Sequence, residues 1–227
     1  FRLVHGEGDD LPGLIVDIYD DVLVMQAHSI GMYLALPEIA KAAEKVLGNR
    51  ISAIYDKSKD CLPAQFAYPL QNRWLLGEKE QVSIVENNIR FHIDVVKGQK
   101  TGFFLDQRDN RSLLGTYSKG KSVLNTFCYS GGFSLAALQV GATQVDSVDV
   151  SSNAMQLLED NLLLNEYSAE NHTSYTDDVM KFLRKEEVPQ YDIVVLDPPA
   201  FAKSMSKRHN AVQGYKRLNV LGLEKVK

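Results

Sequence analysis

Cysteine is scarce in this chain of 227 residues, which contains only Cys61 and Cys128. The two cysteines lie in different parts of the sequence and lack the neighbouring ligands of a zinc site. A disulfide framework needs several closely spaced cysteines, and a structural zinc site needs paired ones. We therefore expect reduced thiols and no metal ion.

Long apolar runs are also missing. No run approaches the roughly 20 residues of a membrane span, and the first ten residues, FRLVHGEGDD, lack the basic and then apolar order of a secretory signal. We therefore expect a cytoplasmic protein with no membrane partner. The chain has no initial Met and ends in a helical pattern without a stop, so we also expect truncation at both ends.

Positive charge is not in excess, because the formal net charge is −4. This balance argues against a generally basic surface for nucleic acid, but it permits a local basic groove. As an alternative to such a groove, the basic residues near the end of the chain would simply belong to a loop and a helix that are exposed to solvent. The candidate groups for phosphate contacts lie near the end of the chain: Lys203, Lys207, Arg208, His209, Lys216 and Arg217.

The first part of the chain predicts a small α+β domain over residues 1–79. Apolar runs at 14–18 and 22–27 predict a hairpin, residues 34–47 have a helical apolar face, and 51–55 return to an extended pattern. Residues 58–72 contain two prolines and predict a loop. A second hairpin, 82–85 and 89–96 with an Asn-Asn turn, opens the second domain, 80–227.

The second domain begins its α/β pattern at residues 121–149. Residues 122–127 form an apolar run typical of a buried parallel strand, and Ser130, Gly131 and Gly132 follow as a turn that lets backbone approach a ligand closely. A helix and a second strand over 145–150 come next. Asp149 then lies at the carboxyl end of that strand, where open α/β sheets bind ligands and an acidic residue binds a ribose diol.

The glycine turn lacks the GxGxxG pattern that brings helix amides onto a pyrophosphate. A nucleoside cofactor without phosphate, such as S-adenosylmethionine, therefore fits better than a dinucleotide. The alternative is an ordinary strand-to-helix turn beside a solvated Asp149.

Two further strand-and-helix steps follow. Ser151 or Ser152 can cap the next helix, and Asp177 or Asp178 the one after it; either of these carboxylates could accept a hydrogen bond from an adenine amine. The apolar run 191–196 then leads into Asp197, Pro198, Pro199, Ala200 and Phe201. The two prolines make this exit rigid, so Asp197 points into the strand-end crevice and Phe201 offers a flat surface to a planar base. A simple strand terminator is the alternative.

These segments together resemble the class I S-adenosylmethionine-dependent RNA methyltransferases, and among them the cytosine-C5 methyltransferases of large-subunit ribosomal RNA. The resemblance rests on GQKTGFFLDQRDNR at 98–111, NTFCYSGGFSLAAL at 125–138, VDVS at 148–151 and LDPPAF at 196–201, and it includes DLPGLIVDIY at 10–19. It implies a Rossmann-like methyltransferase domain preceded by a small central domain on the RNA side. A PUA domain precedes both in that family.

The resemblance also implies roles for individual residues. Asp197, Pro198, Pro199 and Phe201 would line the catalytic crevice, and Asp149 would bind the cofactor ribose. Asp178 matches the adenine-side acidic motif better than Asp177. The remaining cofactor residues would be Arg108, Thr126, Phe127, Tyr129, Gly131, Phe133, Ser151, Asp177 and Asp197, the last of which would close the site next to the transferable methyl. The acceptor would be a single-stranded or flipped base of ribosomal RNA.

The chain departs from this family in its thiols. Cytosine C5 becomes nucleophilic only after a thiolate adds at C6, and neither Cys61 nor Cys128 is suitably placed in the sequence. The later strands of the sheet, one of which carries that cysteine in the family, are expected to be missing here. N-methylation of a nucleobase or protein amide, or an inactive fragment that binds the cofactor, are therefore alternatives. The oligomeric state is left open, with a homodimer as one option.

Overall fold

The computed structural model describes residues 1–202 and 208–227. Its contacts divide the chain into two compact units. The first comprises Phe1–Val85 and Phe91–Asp106, and the second comprises Glu86–Arg90 and Gln107–Lys227.

The first unit is built on a five-stranded sheet with the order β1-β2-β3-β4-β5, in which β3 and β4 are parallel and the other pairs antiparallel. The strands are β1 Arg2–His5, β2 Leu14–Tyr19, β3 Val22–Ala27, β4 Ala53–Asp56 and β5 Arg73–Leu76. The helix α1, Ile30–Leu47, packs Leu36 and Ala40 into the core of this unit. The predicted hairpin and helix are confirmed, whereas the sequence did not predict the two edge strands.

Two local predictions in this unit need correction. The helix begins at Ile30 rather than at residue 34, because Ser29 caps it by accepting a hydrogen bond from the amide of Met32 at 3.2 Å. The predicted loop 58–72 contains a 3₁₀ turn, Lys59–Cys61, and the short helix α2, Ala64–Ala67. Pro63 immediately precedes α2, and a proline is well tolerated at the start of a helix.

Residues 81–94 form a second hairpin. Strands β6, Gln81–Glu86, and β7, Ile89–Asp94, form this hairpin, and Asn87 and Asn88 at its turn have φ values of 51° and 65°. Positive φ at both central residues is the geometry of a type I′ turn, which matches the twist of the two strands. The predicted Asn-Asn hairpin is confirmed.

The second unit is a parallel α/β sheet. Its strands are β8 Ser122–Thr126, β9 Gln144–Asp149, β10 His172–Thr176 and β11 Ile193–Leu196, in the order β10-β9-β8-β11. The helices of this unit are α3 Arg108–Ser118, α4 Gly132–Gln139, α5 Ser152–Leu164, α6 Val179–Phe182 and α7 Arg208–Glu224. From β8 the chain adds β9 and then β10 on one side of the sheet, and β11 lies on the other side of β8. The direction in which strands are added therefore reverses beside β8. The predicted Rossmann-like fold class is confirmed, and ligands bind such sheets at this reversal.

The core of this unit forms where side chains of the sheet meet those of the helices. Leu124, Val148, Phe182, Tyr191 and Leu218 are buried in one cluster. The strand β11 is shorter than the predicted 191–196, because Tyr191 instead forms an isolated parallel bridge with Val226.

No helix within residues 1–202 and 208–227 is long and apolar enough to cross a membrane.

Candidate functional site

The carboxyl ends of the four parallel strands share one edge of the sheet. Thr126, Asp149, Thr176 and Leu196 are the last residues of β8, β9, β10 and β11. The register pairs Thr126 with Leu196 and with Val148, and pairs Asp149 with Thr176. The sheet therefore brings three of the predicted segments, at 126–133, 149–151 and 197–201, to the same edge.

Asp149 fastens the loop that follows β8. Its Oδ2 accepts a hydrogen bond from the amide of Tyr129 at 3.0 Å, and its Oδ1 accepts one from the amide of Ser151 at 3.0 Å. The residue is half-buried. A carboxylate has about four acceptor sites, so these two bonds leave acceptor capacity on both oxygens. Asp149 can therefore hold the loop and also accept hydrogen bonds from a diol.

The loop has an unusual backbone for its sequence. Phe127 and Tyr129 have φ values of 54° and 47°, which are uncommon for residues other than glycine, and Gly131 has a φ of 80°. The amide of Cys128 donates to the carbonyl of Val148 at 3.1 Å, which anchors the loop to β9. Residues held in such sparsely populated conformations often occur at ligand sites.

The glycine pair after this loop has a packing role in addition to the predicted close approach of a ligand. A Cβ on Gly131 would lie 2.0 Å from Cδ1 of Leu158, and one on Gly132 would lie 2.9 Å from Cδ of Arg111. The two glycines therefore let the start of α4 pack closely against α5 and α3. Gly131 precedes α4, and the half-buried Phe133 lies in its first turn.

Thr126 and Ser151 have local partners. Thr126 is fully buried, and its hydroxyl donates to the carbonyl of Val195 at 2.7 Å, which joins β8 to β11. Ser151 caps α5 by accepting from the amide of Ala154 at 3.3 Å, so Ser151 rather than Ser152 is the cap.

The two carboxylates after β10 are both engaged. Asp177 lies 2.8 Å from the ammonium group of Lys185, and this hydrogen bond together with the amide of Asp178 lowers the pKa of Asp177. The amide of Asp177 donates to the carbonyl of Asp149 at 3.1 Å, so the two strand ends are tied together. Asp178 caps α6 by accepting from the amide of Lys181 at 2.9 Å, which confirms the predicted cap.

The segment after β11 carries Asp197, which is exposed and accepts a hydrogen bond from Nε2 of Gln107 at 3.2 Å. Pro198 is half-buried and Pro199 exposed. The ring of Phe201 is half-buried and stacks on Tyr215 of α7, with the ring centroids 4.5 Å apart and the planes 26° apart.

Arg108 begins α3, where it is exposed and forms an ion pair with its neighbour Asp109 at 3.3 Å. The buried basic residue of this helix is instead Arg111. Its guanidinium group donates to both carboxylate oxygens of Glu86, at 2.7 and 2.9 Å. Arg108 is the residue of this segment that the family resemblance implied as a cofactor contact. The sequence signal for the burial of Arg111 is its spacing from two small residues: the buried face of α3 consists of Arg111, Gly115 and Ser118.

A chain of buried polar groups crosses the sheet and was not predicted. Asn125 donates to the hydroxyl of Ser134 at 2.8 Å, Ser134 bonds Ser147 at 2.7 Å, and Ser147 bonds Nε2 of His172 at 2.8 Å. Burial lowers the pKa of His172. These bonds satisfy the two serine hydroxyls and Nε2 of His172, whereas Oδ1 of Asn125 is buried without a hydrogen-bond partner in the described part of the protein.

Cys128 is a packed residue. Its thiol is buried, Sγ lies 3.6 Å from Sδ of Met155, and burial raises the pKa of the thiol well above its ordinary range. A thiol that stays protonated is a poor nucleophile. Within the described part of the chain, no group of three or more His, Cys, Asp or Glu side chains could hold a metal ion.

Of the basic residues near the end of the chain, Arg208, His209, Lys216 and Arg217 are exposed on α7. Lys203 and Lys207 lie outside the described residues.

Comparison with known proteins gives a consistent result. A model of S-adenosylmethionine-dependent methyltransferases matches residues 1–222. The ribosomal RNA large subunit methyltransferase I of Shewanella frigidimarina is 40% identical over 230 residues, which cover 99% of this chain but only 57% of that protein. The chain thus spans little more than half the length of this relative.

Solved structures agree with the family match. A candidate S-adenosylmethionine-dependent methyltransferase from Streptococcus mutans has a TM-score of 0.84 at 30% identity, and a candidate methyltransferase complexed with S-adenosylhomocysteine has a TM-score of 0.82 at 28% identity. Each match covers 100% of this chain and 58% of the other. The chain belongs to the family of S-adenosylmethionine-dependent methyltransferases, which confirms the predicted class of enzyme and its cofactor.

Proposed function

We propose that the intact protein carrying this chain transfers a methyl group from S-adenosylmethionine to a base of large-subunit ribosomal RNA. The observation that carries this proposal is the meeting of the 127–131 loop, Asp149 and Asp197 at the carboxyl edge of the parallel sheet. The name of the 40% identical relative, ribosomal RNA large subunit methyltransferase I, supports ribosomal RNA as the substrate. Such a substrate agrees with the expected cytoplasmic location.

The donor groups at this edge suit the parts of S-adenosylmethionine. The remaining acceptor sites of Asp149 are suited to the ribose diol, and the loop from Thr126 to Phe133 is suited to the methionine part. Asp178 is exposed at the end of β10 and is proposed to accept from the adenine amine, with Asp177 held beside it by Lys185. Arg108 and Ser151 remain proposed cofactor contacts.

The bound cofactor supplies an electrophilic methyl group on a sulfonium cation. The acceptor atom of the base would lie in line with the sulfur–carbon bond. Its electron pair would form the new bond to the methyl carbon, the sulfur would keep the electrons of the broken bond, and the acceptor atom would then lose its proton to a base or to water. Asp197 contributes negative charge close to the proposed transfer point. Pro198 and Pro199 hold the backbone extended, and Phe201 is proposed to stack on the base. Much of the rate would then come from positioning.

The target within ribosomal RNA is proposed to be cytosine C5, and a PUA module ahead of this segment is part of the same proposal. Both come from the sequence resemblance. The buried, protonated Cys128 favours a second candidate, an exocyclic nitrogen, because methylation of nitrogen needs no thiolate. C5 chemistry would require a cysteine from another part of the intact protein.

Calorimetry with S-adenosylmethionine tests the cofactor site. Asp149→Asn should weaken binding at least tenfold, since the amide nitrogen cannot accept a hydrogen bond. Asp192→Asn is the matched control. Asp192 also accepts from a backbone amide, that of Ser122 at 2.8 Å, but at the opposite edge of the sheet. Equal affinities for the two variants would remove Asp149 from the site.

Transfer of labelled methyl to ribosomal RNA, followed by identification of the modified nucleoside, tests the substrate. Five-methylcytosine is the expected product. An N-methylated base would select the second candidate, and labelled protein without labelled RNA would overturn the proposal.

A further inference from the structure

The helix α7 has two glycines on the side that packs against the sheet. A Cβ on Gly214 would lie 2.9 Å from Cδ2 of Phe201, and one on Gly222 would lie 2.6 Å from Cδ1 of Leu196. Neither glycine has a positive φ, and glycine weakens the interior of a helix relative to alanine. The glycines are therefore explained by the space that the two side chains occupy.

Phe201 is held by more than this gap. Tyr215, the residue after Gly214, covers one face of the phenylalanine ring in a stacked arrangement, and its hydroxyl accepts a hydrogen bond from the amide of Phe201 at 3.4 Å. The ring also packs against the buried cluster that contains Leu218. The position of Phe201 is thus fixed by Gly214, which leaves room for its ring, and by Tyr215, which stacks on the ring and bonds the backbone amide.

We propose that Gly214 and Tyr215 are positioning residues that orient the ring of Phe201 for stacking on the acceptor base. This inference rests on the proposed function of the site. A ring that is already held in place loses little conformational freedom when a planar base binds against it, whereas a free ring must be ordered first. Tyr215 acts through Phe201 and need not touch the base.

Two substitutions of Tyr215 separate its ring from its hydroxyl. In the intact protein, Tyr215→Leu should lower kcat/KM for the RNA by roughly 3- to 10-fold, the range expected for loss of one aromatic pair. Tyr215→Phe keeps the ring and should stay within about twofold of wild type. The affinity for S-adenosylmethionine should be unchanged in both variants, which also shows that the variants are folded.

Gly214→Ala should lower kcat/KM for the RNA as well, because the new methyl group displaces the phenylalanine ring. Gly115→Ala is the matched control. Gly115 is also inside a helix, but a Cβ there would meet its nearest neighbours at 3.6 Å, which is ordinary contact. The control should retain wild-type kinetics.

A double-mutant cycle tests whether Tyr215 works through Phe201. If it does, the combination Phe201→Leu with Tyr215→Leu should lose no more activity than Phe201→Leu alone. Additive losses would overturn the inference, since they would mean that Tyr215 contributes independently. Wild-type kinetics in Tyr215→Leu would also overturn it.

These outcomes are separate from a failure of the proposed function. A wild-type protein that binds the cofactor but methylates no ribosomal RNA would overturn both. An active wild type with unaffected variants would overturn only the role of Gly214 and Tyr215.

Discussion

Gly131 offers a sharp test of how the candidate site is built. The residue has a φ of 80°, and a Cβ there would lie 2.0 Å from Cδ1 of Leu158 and 3.0 Å from Cδ1 of Leu135. The substitution Gly131→Ala therefore combines an unfavourable backbone conformation with a steric clash. Gly141 has a similar φ of 88°, yet a Cβ there would meet nothing within 4 Å. The two glycines differ in packing alone.

The magnitudes follow from these two causes. A left-handed conformation costs a residue with a Cβ about 1–2 kcal/mol, and overpacking a filled core costs about 1–3 kcal/mol. Gly131→Ala should therefore lower the free energy of unfolding by about 2–5 kcal/mol, and Gly141→Ala by about 1–2 kcal/mol. The entropy that alanine removes from the unfolded chain is the same at both positions, so it cancels from the comparison.

Urea unfolding followed by far-UV circular dichroism measures this difference. The single tryptophan, Trp74, belongs to the first unit, so its fluorescence is a poor probe of Gly131. With a urea dependence of about 2 kcal/mol per molar, Gly131→Ala should lower the midpoint by roughly 1–2.5 M. Adding Leu158→Ala should cost less in the Gly131→Ala background than in wild type, because it removes the clashing atom. Equal losses at Gly131 and Gly141 would refute the packing argument.

Three further predictions concern buried groups of the second unit. Burial lowers the pKa of His172 below its ordinary value of 6.5, so the unfolded chain binds a proton that the folded chain does not. The contribution of neutral His172 to the free energy of unfolding is present above pH 6.5 and is lost as the pH falls through the folded pKa. In urea unfolding, His172→Gln should therefore lose less stability than wild type as the pH falls below 6.5. Arg111→Met should cost about 3–5 kcal/mol because it strands the buried Glu86 carboxylate, and adding Glu86→Gln should recover stability in the same assay; no recovery would contradict the pairing. In the native protein, iodoacetamide followed by mass spectrometry should modify the half-buried Cys61 well before Cys128, and faster labelling of Cys128 would contradict its burial.

Side chains at the strand ends both stabilise the local structure and lie where a ligand would bind. Asp149 bonds the amide of Tyr129, whereas Asp178 caps a helix, and each remains on the edge where ligands bind in this fold. A substitution at such a residue can therefore disturb both the loop and the ligand. The Asp192→Asn control removes a comparable bond at the opposite edge of the sheet, so it shows whether loss of such a bond away from the ligand edge weakens cofactor binding.

Local patterns were sufficient to predict much of the fold. The buried strands of the second unit are short apolar runs, and the caps at Ser151 and Asp178 depend on residues within one helical turn. The Asn87-Asn88 turn likewise depends on its own backbone preferences. The edge strands β1 and β5 were missed because an edge strand has a weak apolar pattern, and α2 because its preceding proline was read as a loop signal.

The sequence by itself predicted the four parallel strands of the second unit and the helices between them, the location of Asp149 and Asp197 at strand ends, and the cofactor class. These follow from periodicity, turn chemistry and motifs, which act over a few residues. Only the tertiary structure decided that Arg111 pairs with Glu86, that Leu158 fills the space beside Gly131, and that Phe201 stacks on Tyr215. The physical reason is that such partners are chosen by close packing between elements, and the residues involved lie 14 to 27 positions apart in the chain.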